Sequence, residues 1–234
     1  MKKIILLTGF LLLVQHGTSQ VNFGARLGMN LGAFELKNDN IAENYDISQS
    51  LSILIKMDAD VPFSTVFSFR TGLGLVIKGA EIDDIPHFPP LQHADTTWSL
   101  LYRMNYLEIP LLLVARAETD FFGTFYFGIG PTLSLGVGGR MDLFAEHKDN
   151  KGQSQQTFDL IWGNKPAPDS QHGYNYLRRF DLGLGAVVAY QLPRSGLTFT
   201  VGYNRGLRNI SPNEGVNLTT SYLSFGVGFM MGGV

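Results

Sequence analysis

The sequence predicts an all-β fold: eight antiparallel strands in up-and-down order, closed into a transmembrane β-barrel. Three observations carry that prediction. Bulky apolar residues alternate with small or polar ones over eight separate stretches, the period of a strand with two unlike faces. The connections between those stretches alternate long and short. Beyond the N-terminal run, no segment is a continuous apolar stretch of transmembrane-helix length, so membrane insertion must use strands.

Residues 1–19, MKKIILLTGFLLLVQHGTS, place two lysines before an apolar run from Ile4 to Val14, then small and polar residues. That is the form of a secretory signal peptide, and the run is too short to span a bilayer. Cleavage before Gln20 leaves residues 20–234 as one barrel domain. Loss of Lys2 and Lys3 lowers the formal net charge below its full-chain value of −2. A weakly acidic chain lacks the electrostatic footprint for nucleic acid. With no cysteine, the chain has neither a disulfide framework nor a thiolate metal site.

The strands follow in order. In VNFGARLGMNLGAF (21–34), Phe23, Leu27, Met29 and Leu31 alternate with Gly24, Arg26, Gly28 and Asn30. ISQSLSILIKMD (47–58) is a noisier second strand, and VFSFRTGLGLVIKG (66–79) a clear third. WSLLYRMNYLEIPLLLVAR (98–116) sets Leu107, Ile109, Leu111 and Leu113 against Tyr106 and Glu108. TFYFGIGPTLSLGVG (124–138), RFDLGLGAVVAYQ (179–191), LTFTVGYNRG (197–206) and SYLSFGVGFM (221–230) complete the set. Long loops fall at 35–46, 79–97, 139–177 and 207–220, and short turns at 58–65, 117–122 and 192–196. An up-and-down meander puts all long loops at one rim, the extracellular one, and the turns and both termini at the periplasmic rim.

Composition assigns the faces. Glycine weakens a strand, so its recurrence on one face needs a reason. In an eight-stranded barrel the interior barely holds side chains, and small residues relieve the crowding. The bulky face then points into lipid, since a belt of Phe and Leu is tolerable nowhere else. Aromatic residues are expected in two interfacial girdles. Phe23, Phe67, Phe121, Phe122, Phe125, Tyr190, Phe199 and Phe229 lie near the short-turn ends. Phe34, Trp98, Tyr102, Tyr176, Phe180, Tyr203 and Tyr222 lie near the long-loop ends.

The inner face carries Arg26, Lys56, Asp58, Arg70, Lys78, Glu108, Arg179 and Asp181. Charges in so narrow a space must pair, because an unpaired buried charge is costly. A salt-bridge plug that closes the barrel and fixes its register is the expectation, and a selective ion path is the alternative. Paired glycines such as Gly72 and Gly74 lack the third glycine and following helix of a dinucleotide fingerprint. Asp83, Asp84, His87, His93 and Asp95 could ligate zinc, but a mobile loop broken by Pro89 and Pro90 does not preorganise a site. His147 and His172 are expected in solvent. No Ser-His-carboxylate set falls into register, so no catalytic residue, metal or cofactor is expected. In the longest loop, Phe158, Leu160, Ile161 and Trp162 either cap the barrel mouth or meet a partner.

NYLEIPLLL (105–113) resembles the hallmark fourth strand of the PorT-like outer-membrane β-barrel family of Bacteroidota. GARLGMNLG (24–32), FGIGPTLSLG (127–136), FDLGLGAVVAYQL (180–192) and GYNRGLRNIS (202–211) resemble its first, fifth, sixth and seventh strands. The resemblance implies an outer-membrane barrel, surrounded by outer-membrane lipid and inserted by the barrel-assembly machinery. The family takes its name from a component of type IX secretion, and no residue here singles out that component; a structural or surface-interaction role without catalysis is expected, with envelope or secretion-system proteins as partners. A small-solute channel is the alternative. Such barrels usually end on an aromatic residue, whereas Phe229 here is followed by MMGGV.

With Leu111 on the lipid face, Leu111→Arg should cost about 2–4 kcal/mol of insertion free energy. Refolding titrations into lipid vesicles check this, and a neutral substitution would reverse the two faces.

Overall fold

The structure, a computed structural model, describes residues 21–38, 46–85, 96–119, 122–147, 153–165 and 175–231. The expected signal peptide lies outside them, as do His87, His93, Asp95, Phe121 and His172. The strands in chain order are β1 (Asn22–Asn38), β2 (Asp46–Pro62), β3 (Phe67–Ile85), β4 (Thr96–Thr119) and β5 (Gly123–His147). They continue through β6 (Gln153–Asp159), β7 (Ile161–Trp162), β8 (Tyr176–Leu177), β9 (Phe180–Gln191), β10 (Leu197–Gly206) and β11 (Val216–Met231).

Eight of these form a closed antiparallel ring. β1 pairs with β2, then β3, β4 and β5 follow, β5 pairs with β9, and β10 and β11 return to β1. The closing seam runs in unbroken register from Phe23 opposite Met231 to Asn38 opposite Val216. Closure leaves the ring no sheet edge, which hydrocarbon requires because it supplies no partner for a backbone amide. β6 pairs with β5 above the point where β9 leaves it, and β7 and β8 form a small parallel bridge.

The strands run further than alternation alone suggested. Stretches read as loops at 35–46, 79–97, 139–177 and 207–220 contain the far ends of β1 to β5, the whole of β6, β7 and β8, and the start of β11. The cause is a reversal of polarity along each strand. In the lower part of β4, Ile109 and Leu113 face outward and Glu108 faces the lumen. Above Glu108 the inner face becomes Tyr106, Met104, Tyr102, Leu100 and Trp98, all buried, while Arg103 turns outward. The side-chain parity is unchanged but the chemistry of the two faces has exchanged. A 24-residue strand extends roughly 80 Å. Even when tilted, it greatly exceeds a hydrocarbon layer of about 30 Å. The excess stands in water and needs an apolar inside, as any water-soluble sheet does.

That upper layer has one core. Phe34 on β1, Ala80 and Ile82 on β3, Trp98 to Tyr106 on β4, and Met141, Leu143 and Ala145 on β5 converge there. Leu218 on β11 joins them from the wall, and Leu160, Leu177 and Ile210 join from the connecting segments. β5 reaches the core by a bulge: Asn105 pairs with Gly138 but Tyr106 with Gly136, so the inward positions change from even to odd numbers.

The short-turn girdle is outward-facing at Phe23, Phe67, Phe122, Phe125, Phe199 and Phe229. The expected long-loop girdle is corrected. Only Phe180 and Tyr203 are exposed there, whereas Phe34, Trp98, Tyr102 and Tyr222 are buried inside. Their even-numbered positions on β1, β4 and β11 decide this, since each shares the parity of lumenal neighbours.

Leu100→Ala should therefore cost about 2–5 kcal/mol. The loss should appear as reduced hydrogen-exchange protection in the upper halves of β4 and β5, with the membrane-embedded halves keeping theirs.

Candidate functional site

The lumen begins with glycines that make room for long side chains. One row of paired positions around the barrel reads Gly228, Arg26, Lys56, Gly74, Glu108, Ser134, Asp181. Lys56 and Glu108 are separated in that row by Gly74. A methyl group at Gly74 would lie 2.7 Å from Lys56 Cγ, so the missing side chain is what lets the lysine cross to its partner. Gly226 does the same for Arg26, whose Cγ and Cδ would be 2.9 Å from an added Cβ.

The central tier is a closed network. Lys56 Nζ donates to Glu108 Oε1 at 2.7 Å, and the Tyr222 hydroxyl donates to the same oxygen at 2.6 Å. Lys78 Nζ is 2.9 Å from Asp181 Oδ2, 3.8 Å from Glu108 Oε2 and 3.2 Å from Ser134 Oγ. Ser134 in turn donates to Glu108 Oε2, and Thr220 donates to Asp181 Oδ2. The Lys78 ammonium also lies 4.6 Å from the Tyr106 ring centroid, a cation–π contact with the first residue of the apolar layer above. Glu108 and Asp181 are both fully buried.

Two further tiers lie toward the short turns. Arg26 Nη2 pairs with Asp58 at 3.2 Å. Arg70 Nε pairs with Asp60 Oδ1 at 2.9 Å, Ser68 donates to that oxygen, and the guanidinium stacks 4.8 Å from the Tyr126 ring. Two neutral bonds tie in the remaining walls: Asn30 Nδ2 reaches across to the Ile77 carbonyl, and Asn204 Nδ2 donates to Thr132 Oγ1. Every one of the eight ring strands contributes a side chain to these tiers.

Seven of the eight expected lumenal residues, Arg26, Lys56, Asp58, Arg70, Lys78, Glu108 and Asp181, are thus brought together. Arg179 is not. It precedes β9, is exposed, and donates from Nε to the Gly136 carbonyl at 2.9 Å. The alternating run RFDLGLG placed it inside, but the chain enters β9 one residue later than that pattern implies. Asp60 takes a place that sequence reading missed. Its signal was present, since it follows Asp58 by two on β2 and so shares its face. With Asp60 in and Arg179 out, four cations meet four carboxylates. Tyr106 and Ser134 were read on the lumenal face but not as partners of the charges, while Tyr222 was read as a girdle residue and Thr220 as part of a loop.

Above the network, the Phe158–Trp162 cluster divides. Leu160 is buried in the upper core, and the Trp162 ring meets Tyr106 edge-on at 5.4 Å, over Gly136. Phe158 and Ile161 are exposed. The cluster therefore caps the mouth with two side chains and leaves two outside. Among the described residues, no group of three His, Asp or Glu side chains comes together as a metal set.

An apolar outer belt, a closed eight-stranded ring and a charged, filled interior define an integral β-barrel of the outer-membrane type. The chain belongs to the outer membrane protein beta-barrel domain family, whose sequence model matches residues 15–211. Among curated proteins, none matches the chain. Among solved structures it is similar in fold to Ail, the attachment invasion locus protein of Yersinia pestis, at 9% identity and a TM-score of 0.40, over 91% of this chain and 99% of that one. It is also similar to Neisserial surface protein A, at 12% identity and 0.39, over 88% and 96%. The outer membrane protease OmpT of Escherichia coli aligns at 11% identity and 0.37, over 92% and 98%. These likenesses are of fold alone.

Removing one member of a buried pair leaves an uncompensated charge, so Glu108→Ala should destabilise the folded barrel by about 3–5 kcal/mol. Gly74→Ala should cost about 1–3 kcal/mol by pushing the Lys56 stem aside. Urea unfolding from vesicles checks both.

Proposed function

We propose that the protein is a non-conducting, non-enzymatic outer-membrane barrel that carries a β-sheet platform above the outer leaflet for contacts at the cell surface. One observation carries this reading: the lumen is filled at two successive levels. Lys78, Glu108 and Asp181 block the membrane level with almost no surface open to water, and Tyr106, Trp162 and Leu160 block the level above. Below the first block lies a cavity of about 50 Å³, lined in part by Arg26, Lys56, Arg70 and Glu108. That holds a few water molecules and is far short of a continuous pore.

The platform supports a surface-interaction role. β5 and β6 form a hairpin ladder from Arg140–Asp159 to Glu146–Gln153, beyond the lipid belt. β6 lies at the end of the sheet order, and its residues 154–159 are exposed on both faces. Polar glutamines and threonine there suit water and a protein partner better than lipid. The resemblance of Asn105–Leu113 to the fourth strand of the PorT-like family supports reading the chain as a member of that branch. A link to type IX secretion is the partner class that placement suggests.

Planar-bilayer recording tests the central claim. The refolded protein should show no steady single-channel conductance, and sustained ohmic openings would replace this reading with that of a small-solute channel.

A further inference from the structure

The outer face is not symmetric around the barrel where the strands leave lipid. On the β5–β9–β10 side, exposed arginines stand just above the apolar belt. Arg140 faces outward with its side chain 56% exposed, directly opposite Arg103, and both flank the buried Asp142 at 3.7 and 3.1 Å. Arg179 is exposed beside Phe180, anchored through Nε to the Gly136 carbonyl. Arg208 holds its guanidinium 5.3 Å above the Phe180 ring. Asp142 lies between Arg103 and Arg140, Asp159 lies opposite Arg140 on β6, and Glu81 of β3 faces Arg103. Cations are in excess. Arg205 on β10, by contrast, is paired with Glu35 of β1 at 2.8 Å, and Asp83 on β3 accepts from Ser48 of β2.

Below the arginines, the same strands carry a groove. Ala186 on β9 is flanked in register by Ile129 on β5 and Tyr203 on β10. A methyl group between two large side chains leaves a lipid-facing hollow of about 400 Å³, walled also by Phe127 and Val201. Phe180 and Ala186 are six residues apart along β9, which is about 20 Å. That separation is within the length of one fatty-acyl chain.

We propose that this face is a seat for one phosphorylated glycolipid of the outer leaflet. Its phosphate is held by Arg179 and Arg208 beside Phe180, and an acyl chain lies in the groove at Ala186. Arginine suits the headgroup because its planar fork matches phosphate oxygens bidentately and is less strongly hydrated than an ammonium. Stacking on Phe180 fixes one of those forks at the depth where the belt ends. The groove selects against flat belt packing: a chain that fills it covers apolar surface that a mobile lipid would cover only in passing. The seat does not depend on whether the lumen conducts.

The test uses the full mature chain folded in detergent micelles, with folding verified by heat-modifiable gel mobility. Native mass spectrometry then measures retention of added lipid A, of phosphatidylglycerol and of phosphatidylcholine. Lipid A should be retained as a single adduct, and neither phospholipid should match it. The paired change Arg179→Gln and Arg208→Gln should weaken retention about tenfold, as expected for losing charge-assisted hydrogen bonds. Ala186→Phe fills the groove without touching a charge and should also weaken it. It keeps the proposal testable if the arginine variant fails to fold. Arg194→Gln, in the turn at the opposite rim, removes a like charge and should have no effect. Equal retention of phosphatidylglycerol, wild-type retention in Ala186→Phe, or equal loss in Arg194→Gln would overturn the assignment.

Discussion

The constraint on which the structure depends is charge neutrality inside a space too narrow for bulk water. Glu108 and Asp181 are out of reach of solvent, and so is Lys78 in all but a trace. Each ion could stand there only with its partner supplied by another strand. Lys56 comes from β2, Lys78 from β3, Glu108 from β4 and Asp181 from β9, so their pairing spans the ring rather than one hairpin. A slip of one strand by one residue would turn its charge into lipid and leave the partner alone. Burying ions does not of itself stabilise a fold relative to apolar packing. What the network supplies is a single register among many that hydrogen bonding alone would allow.

The second constraint is the change of solvent along the barrel axis. A strand that keeps its parity while passing from lipid to water must exchange the chemistry of its two faces. β4 shows the exchange within four residues: Glu108 inside and Ile109 outside, then Met104 inside and Arg103 outside. Tyr106 is the joint between the two regimes, with Lys78 against one part of its ring environment and Trp162 against another. Two interiors, one ionic and one apolar, are therefore stacked end to end and seal each other. The same exchange turns Arg103 and Arg140 outward above the apolar belt.

Glycine links these two constraints to covalent geometry. The lumenal glycines at Gly74 and Gly226 mark where lysine and arginine stems lie across a neighbouring strand. Small residues and long cations on the same face are one device: each cation needs a vacancy next to it in order to reach across.

Much of this could be read from the sequence alone. Period-two alternation determined the all-β class, the eight ring strands and which residues share a face, because parity is a local property of extended backbone. The glycine-rich face followed from crowding in a small barrel, and the charge on that face from its residues. Only the tertiary structure decided where the lipid ends. Parity puts Trp98, Tyr102 and Tyr222 inside, but whether the inside at their height is an ionic lumen or an apolar core depends on what the neighbouring strands bring there. The structure also left Arg179 outside, since it precedes β9 where the ladder, not the local pattern, sets direction. The extent of β5 and β6 within the longest connection was equally undetermined, because a strand in water shows its alternation only against the partner it pairs with.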